Sequence, residues 1–458
     1  MGRTLARSGA SGKGPTVGRR GFTTRQVHER APGATPTARA TPIYLTAGFE
    51  FGDYDDAAAH FGRGEGFAYT RVGNPTIEAA EHTLAALEGG SQALLLASGQ
   101  AATTVALLAL VEAGGHIVSS THIYEGTRGL LRDNIARLGV QATFVDAIDD
   151  VDAWEEAIRP ETRALFAESI SNATNRLLDI PAIAAVARRH GIPLVIDNTF
   201  ATPYLLRPIE LGADIVVHSA SKFLAGHGSV LGGAIVDSGR FDAARSGALF
   251  PHLVAPGRGA GGAPAPSIAE RAGGDARIAY ARESVALRFG PTPSPLNAFL
   301  IAQGIETLSL RVERQSANAL AVAQWLETRP EVASVDYVGL DSHPDHALAL
   351  RDLPDGFGSV FTFTLHGGAQ AARRFVEALG VFTHMTHLGD VRSLILHPAS
   401  TSHALLTERE RAALGVAPGT LRVSIGIEDA ADLIADLDGA AAAVGARVGA
   451  GDELVIVA

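Results

Sequence analysis

The chain has 458 residues with 46% hydrophobic and 19% charged side chains, a globular balance long enough for about three structural units and opposed to wholesale disorder. Its 38 basic and 49 acidic residues leave a net charge of −11, which sets nucleic acid aside as a main partner, because phosphate binding leaves a basic footprint. With no cysteine, disulfides, Cys–zinc sites, Fe–S clusters and thiol nucleophiles are excluded, and with no apolar run of 18 or more residues no membrane span is expected.

Residues 1–21 are rich in Gly, Ser and Arg and contain no acid. A disordered basic tail, or an early start codon, fits them better than a transit peptide. No signal-peptide core is visible, so a cytoplasmic protein is expected. Residues 22–65 read as an irregular N-terminal arm. A large domain is expected over 66–295 and a smaller C-terminal α/β domain over 296–458.

In the large domain a helical stretch over Ala80–Leu87 precedes a buried strand over Ala93–Ser98 and an apolar helix over Ala101–Val111. Strand-like runs recur at His116–Ser119, Ala142–Val145, Ala164–Glu168, Leu194–Asp197, Ile215–His218 and Gly233–Asp237, with a helix over Ile180–His190. Alternating strands and helices predict an α/β fold with a mainly parallel sheet covered on both faces. The strands are nearly continuous apolar runs, as burial on both faces requires. Residues 251–277 are rich in Gly, Pro and Ala and read as a loop. A helical region then runs from Pro295 to about Leu326. Strands follow at Val332–Val338, Ser359–Leu365, Ser393–His397 and Thr420–Ile425, with helices over Ala369–Leu379 and Ala430–Val444.

Nucleotide signatures are missing: no G-x-G-x-x-G follows a strand, and no G-x-x-x-x-G-K-[ST] occurs. A different constellation carries chemistry. The chain has two lysines, Lys13 and Lys222, against 36 arginines. Arginine can neither form a Schiff base nor release its proton at working pH, so a lysine kept in such a chain points to its amine. Lys222 closes Ser219-Ala-Ser221-Lys222 after one apolar strand, and Asp197 ends another. In open α/β sheets ligands sit outside the carboxyl ends of the strands, so the two can face one crevice. An imine-forming lysine and an acid that keeps a pyridine nitrogen protonated are what pyridoxal phosphate (PLP) needs. Ser98-Gly99-Gln100, between a strand and a helix, offers backbone N–H groups for a phosphate. Ser219 and Ser221 add hydroxyls. Tyr124, after another strand, can stack on a ring.

These motifs resemble the Cys/Met-metabolism branch of fold-type I PLP enzymes, over about residues 38–440. The ordered set is Tyr69-Thr-Arg71-Val-Gly-Asn74-Pro75-Thr76, Leu87-Glu-Gly-Gly90, Ser98-Gly-Gln-Ala-Ala102, Glu168-Ser-Ile-Ser-Asn172, Asp197-Asn-Thr-Phe-Ala-Thr-Pro203, Ser219-Ala-Ser-Lys222-Phe, His397-Pro-Ala-Ser-Thr401 and Leu421-Arg422-Val-Ser-Ile-Gly-Ile-Glu428. The resemblance implies that Lys222 binds PLP covalently and that Asp197 meets the pyridine nitrogen. It implies that Tyr124 stacks on the ring and carries protons, and that Ser98, Gly99, Gln100, Ser219 and Ser221 hold the phosphate. Tyr69 and Arg71 would reach the phosphate of a neighbouring subunit, implying a dimer with shared active sites, paired into a tetramer. Asn172 would lie near the ring oxygen and the substrate carboxylate, which Arg422 would clamp. His387 would stand near that carboxylate.

A finer resemblance, through Phe250-Pro251, Ala302–Arg311, Gly389-Asp390 and Gly426–Asp429, is to O-acetylhomoserine sulfhydrylases. It implies γ-replacement on an O-acylated homoserine with sulfide or a thiol, giving homocysteine or methionine. Three departures leave the acyl donor and nucleophile open. Asn172 is followed by Ala173 where relatives have proline, His387 stands where Asn or Ser is common, and Arg288-Phe289-Gly290 replaces an Arg-Asp-Ile/Leu-Gly stretch. A γ-lyase of cystathionine or methionine type remains an alternative, although the methionine type usually carries an active-site cysteine. So does γ-substitution by another nucleophile in secondary metabolism. A non-enzymatic paralogue predicts loss of Lys222, Asp197 or Arg422, and all three are present.

Overall fold

The computed structural model describes residues 21–29, 38–63, 66–172, 174–259 and 262–445. The tail expected over 1–21 falls outside them except for Gly21, as does Ala173. Seven strands build the first sheet: β1 (Gln92–Leu96), β2 (His116–Ser120), β3 (Gln141–Val145), β4 (Thr162–Glu168), β5 (Leu194–Asp197), β6 (Ile215–His218) and β7 (Gly233–Asp237). Their order is β1-β7-β6-β5-β4-β2-β3, and β7 alone runs antiparallel to its neighbours.

Alternation along each strand makes two cores. Leu95, Val118, Leu165, Ile196 and Val216 pack on one face, whereas Leu96, Ile117, Phe166, Val195 and Val217 pack on the other. Helices cover both faces, and two of them begin and end on clear signals. Pro75–Glu88 starts at Asn74, whose side chain accepts from the Thr76 N–H, and stops at Gly89 with φ of 77°. Ile180–His190 is capped by Asp179 and ends on Gly191, φ 68°. The sheet order reverses between β2 and β4, and a crevice at such a switch point takes ligands.

The stretch over 251–277 is not a plain loop. It forms the helix Pro251–Val254, the hairpin strands β8 (Gly257–Arg258) and β9 (Pro264–Ala265), and the helix Ile268–Ala272. Phe250 and Leu253 are fully buried in the second core, and Ser267 makes a capping box with Glu270. Those few anchors outweigh a Gly/Pro-rich composition. The arm also has more order than its sequence indicates, with helices over Phe22–His28 and Tyr54–Arg63.

The second sheet contains β10 (Val332–Asp336), β11 (Val360–Leu365), β12 (Thr383–His384), β13 (Leu394–Leu396) and β14 (Thr420–Ser424), in the order β10-β11-β14-β13-β12. Strand β12 has no sequence signal, being two exposed polar residues. The cores do not divide at residue 295/296. Ala298, Ile301, Ile305, Leu308 and Val312 belong to the first sheet's core, and core membership changes within the helix Leu308–Glu327, between Val312 and Ala319. The two units are stitched together beside the crevice. Asn175 donates to the Val360 carbonyl at 2.7 Å and accepts from the Val338 N–H, while Arg176 pairs with Asp345 at 2.7 Å.

Candidate active site

A cavity of about 820 Å³ opens where the carboxyl ends of the first sheet meet the second. Eleven of the thirteen residues singled out from sequence line it: Ser98, Gly99, Gln100, Tyr124, Asn172, Asp197, Ser219, Ser221, Lys222, His387 and Arg422. Tyr69 and Arg71 do not. Arg71 is exposed, donates to the Leu287 carbonyl at 2.6 Å and lies over the Tyr69 ring.

Lys222 Nζ lies 3.1 Å from His387 Nδ1. Burial, reinforced by the Arg422 guanidinium, lowers the lysine to about 8. His387 is held down to about 4 by burial and by the Lys222 charge, so near neutrality its ring is uncharged and Nδ1 accepts from the amine. Its Nε2 is buried with no partner among the described residues. Arg422 rises from the middle of β14, between Thr362 and Leu396. It donates to Asn172 Oδ1 at 3.1 Å, and burial lowers it to about 10.

At the end of β5, Asp197 Oδ1 accepts from the Thr199 N–H at 3.0 Å and from its hydroxyl at 2.5 Å. Burial raises Asp197, so it needs positive partners to stay ionised. The Thr199 hydroxyl also accepts from the Ser219 N–H, tying the ends of β5 and β6 together. Glu168, ending β4, accepts from the Tyr124 N–H at 2.6 Å and the Asn172 N–H at 2.8 Å, and so orients the two loops that flank the switch point. Burial and the neighbouring Asp197 push Glu168 up to about 8. Thr199 and Glu168 had no role assigned from sequence. An acid closing a buried apolar strand is the signal Glu168 shares with Asp197.

The helix Gly99–Leu108 points its N-terminus into the cavity. Ser98 caps it through Ala101, leaving the first N–H groups turned outward. A Cβ at Gly99 would stand 2.7 Å from Ser219 Cβ, so the helix end and Ser219 form one close-walled cradle. Two placements differ from a simple phosphate-donor role. The Ser221 hydroxyl donates to the Gly232 carbonyl and accepts from its N–H, and the Gln100 amide donates to Gly126.

The family model for Cys/Met metabolism PLP-dependent enzymes matches residues 23–442. The chain belongs to this family. It is 42% identical to an O-acetyl-L-homoserine sulfhydrylase of Corynebacterium glutamicum, over 93% of this chain and 97% of that one. It is 41% identical to a homocysteine synthase of Schizosaccharomyces pombe, over 91% and 96%. A crystal structure from Campylobacter jejuni, described as an O-acetylhomoserine (thiol)-lyase carrying a pyridoxyl-lysine phosphate, superposes with a TM-score of 0.82 at 34% identity, covering 92% of this chain and 99% of that one.

The residues present fit PLP. A half-buried amine, a half-buried acid and a cradle at a helix N-terminus stand in one cavity of sufficient size. Gly99→Ala should weaken PLP binding by about tenfold or more, because the new methyl pushes the helix end off Ser219. Absorbance titration of cofactor-free protein with PLP measures this, and an unchanged affinity would place the phosphate elsewhere.

Proposed function

We propose that the protein is a PLP-dependent transferase that replaces the Cγ acyloxy group of O-acetyl-L-homoserine with sulfide, forming homocysteine. The reading is carried by the cavity that unites Lys222, Asp197 and Arg422 within a chain that matches sulfhydrylases over nearly its whole length.

Arg422 receives the substrate carboxylate, for which a guanidinium fork is suited, and Asn172 fixes its orientation. Asp197 would hold the pyridine nitrogen and Tyr124 would lie against the ring. When bound, PLP withdraws electrons from the substrate Cα and so lets its proton leave. Lys222 moves protons at Cα and Cβ; with its proton affinity lowered to about 8, it can both take and return them near neutral pH. Acetate then leaves Cγ and sulfide adds there. Tyr124, half exposed in the cavity mouth, carries protons at Cα or the leaving group.

We further infer a dimer with shared active sites, paired into a tetramer. Tyr69 and Arg71 lie outside their own chain's cavity. The arm around them exposes Ile43, Tyr44, Leu45, Phe51, Tyr54 and Val72, an apolar surface that a second copy would cover. Among the described residues no helix is long and apolar enough to cross a membrane, and we place the enzyme in the cytoplasm.

The test is one assay in two tubes, holoenzyme with O-acetyl-L-homoserine, with and without sulfide. Homocysteine in the sulfide tube with little 2-oxobutyrate in either is expected. Abundant 2-oxobutyrate without sulfide would make the enzyme a γ-lyase, and silence in both would move attention to another acyl donor and to His387.

A further inference from the structure

Behind the cofactor-facing residues lies a second polar layer that the reaction itself does not use. Glu88, the last residue of its helix, and His218, the last residue of β6, are both essentially without solvent contact. Glu88 Oε1 lies 2.6 Å from His218 Nε2 and accepts from Asn198 Nδ2 at 3.0 Å. Asn198 in turn accepts from the Ser169 hydroxyl at 2.8 Å. Glu88 Oε2 is buried and has no hydrogen-bond partner among the described residues.

As a device for stability this arrangement is poor. Burying a carboxylate with one oxygen unpaired costs more than apolar packing of the same volume, and a buried ion pair is weak evidence of stabilisation. Its position says more. Asn198 directly follows Asp197, Ser169 directly follows Glu168, and His218 directly precedes Ser219. Each partner of Glu88 is thus one residue from a group facing the cavity. Asp197, half-buried at the end of β5, lies in register with Val217, the residue before His218, and its ionisation is favoured by Thr199 and by a positive charge on His218.

We propose that Glu88 and His218 are positioning residues for Asp197: the carboxylate holds the imidazolium, and the imidazolium keeps Asp197 ionised for the pyridine nitrogen of the cofactor. A distance of 2.6 Å is that of a charge-assisted bond. The charged and titratable groups around the pair are Asp197 on β5, Glu168 on β4, Lys222 beyond β6, Glu210, which lies beside Gly89, and Arg207, which pairs with Glu210 at 3.0 Å. Arg207 is matched by Glu210 and the amine of Lys222 meets His387, so the cation that favours ionised Asp197 is His218. The proposal rests on the reading of Asp197 as the partner of the ring nitrogen.

The test is a pH titration of the visible absorbance of the holoenzyme. Glu88→Gln keeps the shape and the Asn198 contact but removes the charge. His218 then loses its counter-ion, Asp197 takes a proton, and the ring nitrogen loses one. An unprotonated ring makes the lysine-linked nitrogen more basic, so the midpoint of the visible transition should rise by about one unit or more. His218→Gln removes the cation from the other side and should produce the same rise. Glu88→Asp keeps the charge with a shorter reach, and its midpoint should stay near that of the wild type even where its melting temperature falls. A merely structural pair predicts the reverse ranking, with Gln tolerated and Asp harmful. Midpoints for Glu88→Gln and His218→Gln equal to the wild type overturn the proposal. Asp197→Asn is the control for the underlying reading: if it leaves the titration unchanged, the assignment of Asp197 fails, and this proposal with it.

Discussion

Replacing Lys222 by alanine is expected to erase the absorbance band of the lysine-linked cofactor and to lower turnover by about 10⁴-fold or more. Lys222 is the one lysine outside the N-terminal tail, so no neighbouring amine can stand in for it. Its amine is fixed at 3.1 Å from His387, and burial with the Arg422 charge holds it at about 8. An amine at its ordinary value would be a poor base near neutrality. Lys222→Arg separates the two properties: it keeps a cation in the cavity but can neither join the cofactor nor yield a proton. Both variants should therefore lose the absorbance alike. Survival of the lysine-linked band in either variant would remove Lys222 from its role.

The second large effect is on Arg422. Its guanidinium is buried, with Asn172 as its side-chain partner, and waits for a carboxylate. Arg422→Ala should raise KM by on the order of a hundredfold, about 3 kcal/mol, with a smaller change in kcat, because the lost contact is made in the bound substrate as well as in the transition state. The same change has a pH consequence. Arg422 helps to lower Lys222, so its removal favours the ammonium form, and the acid limb of the kcat profile should move to higher pH. Arg422→Lys retains a point charge without the planar fork and should fall between the two. Unaltered KM in Arg422→Ala would place the substrate carboxylate elsewhere.

Most of the residues that line the cavity were legible in the sequence. Strands β4 to β7 read directly from apolar runs of four or five residues, β4 from Ala164 although the strand begins at Thr162, since burial on both faces favours unbroken apolar stretches. Their last residues stood out as the polar ends of those runs. What escaped reading had weaker local signals. β12 is two polar residues held by a parallel partner, and the ordered segment over 251–277 depends on Phe250 and Leu253 finding the second core. The hydroxyl of Ser221 looks like a phosphate donor in sequence, yet its proton goes to Gly232, eleven positions further along.

The sequence by itself determined the chemistry: a single interior lysine, an acid closing a buried strand, and a motif order that resembles one enzyme family. These follow from residue type and from periodicity, which act over a few positions. Tertiary structure alone decided how the groups are tuned and held. It set Arg422 against Asn172 across 250 positions, His387 against Lys222 across 165, and Glu88 against His218 across 130. Proton affinity and orientation depend on which charges and which low-dielectric surroundings a group meets. Those are set by packing between distant segments, which no local pattern contains.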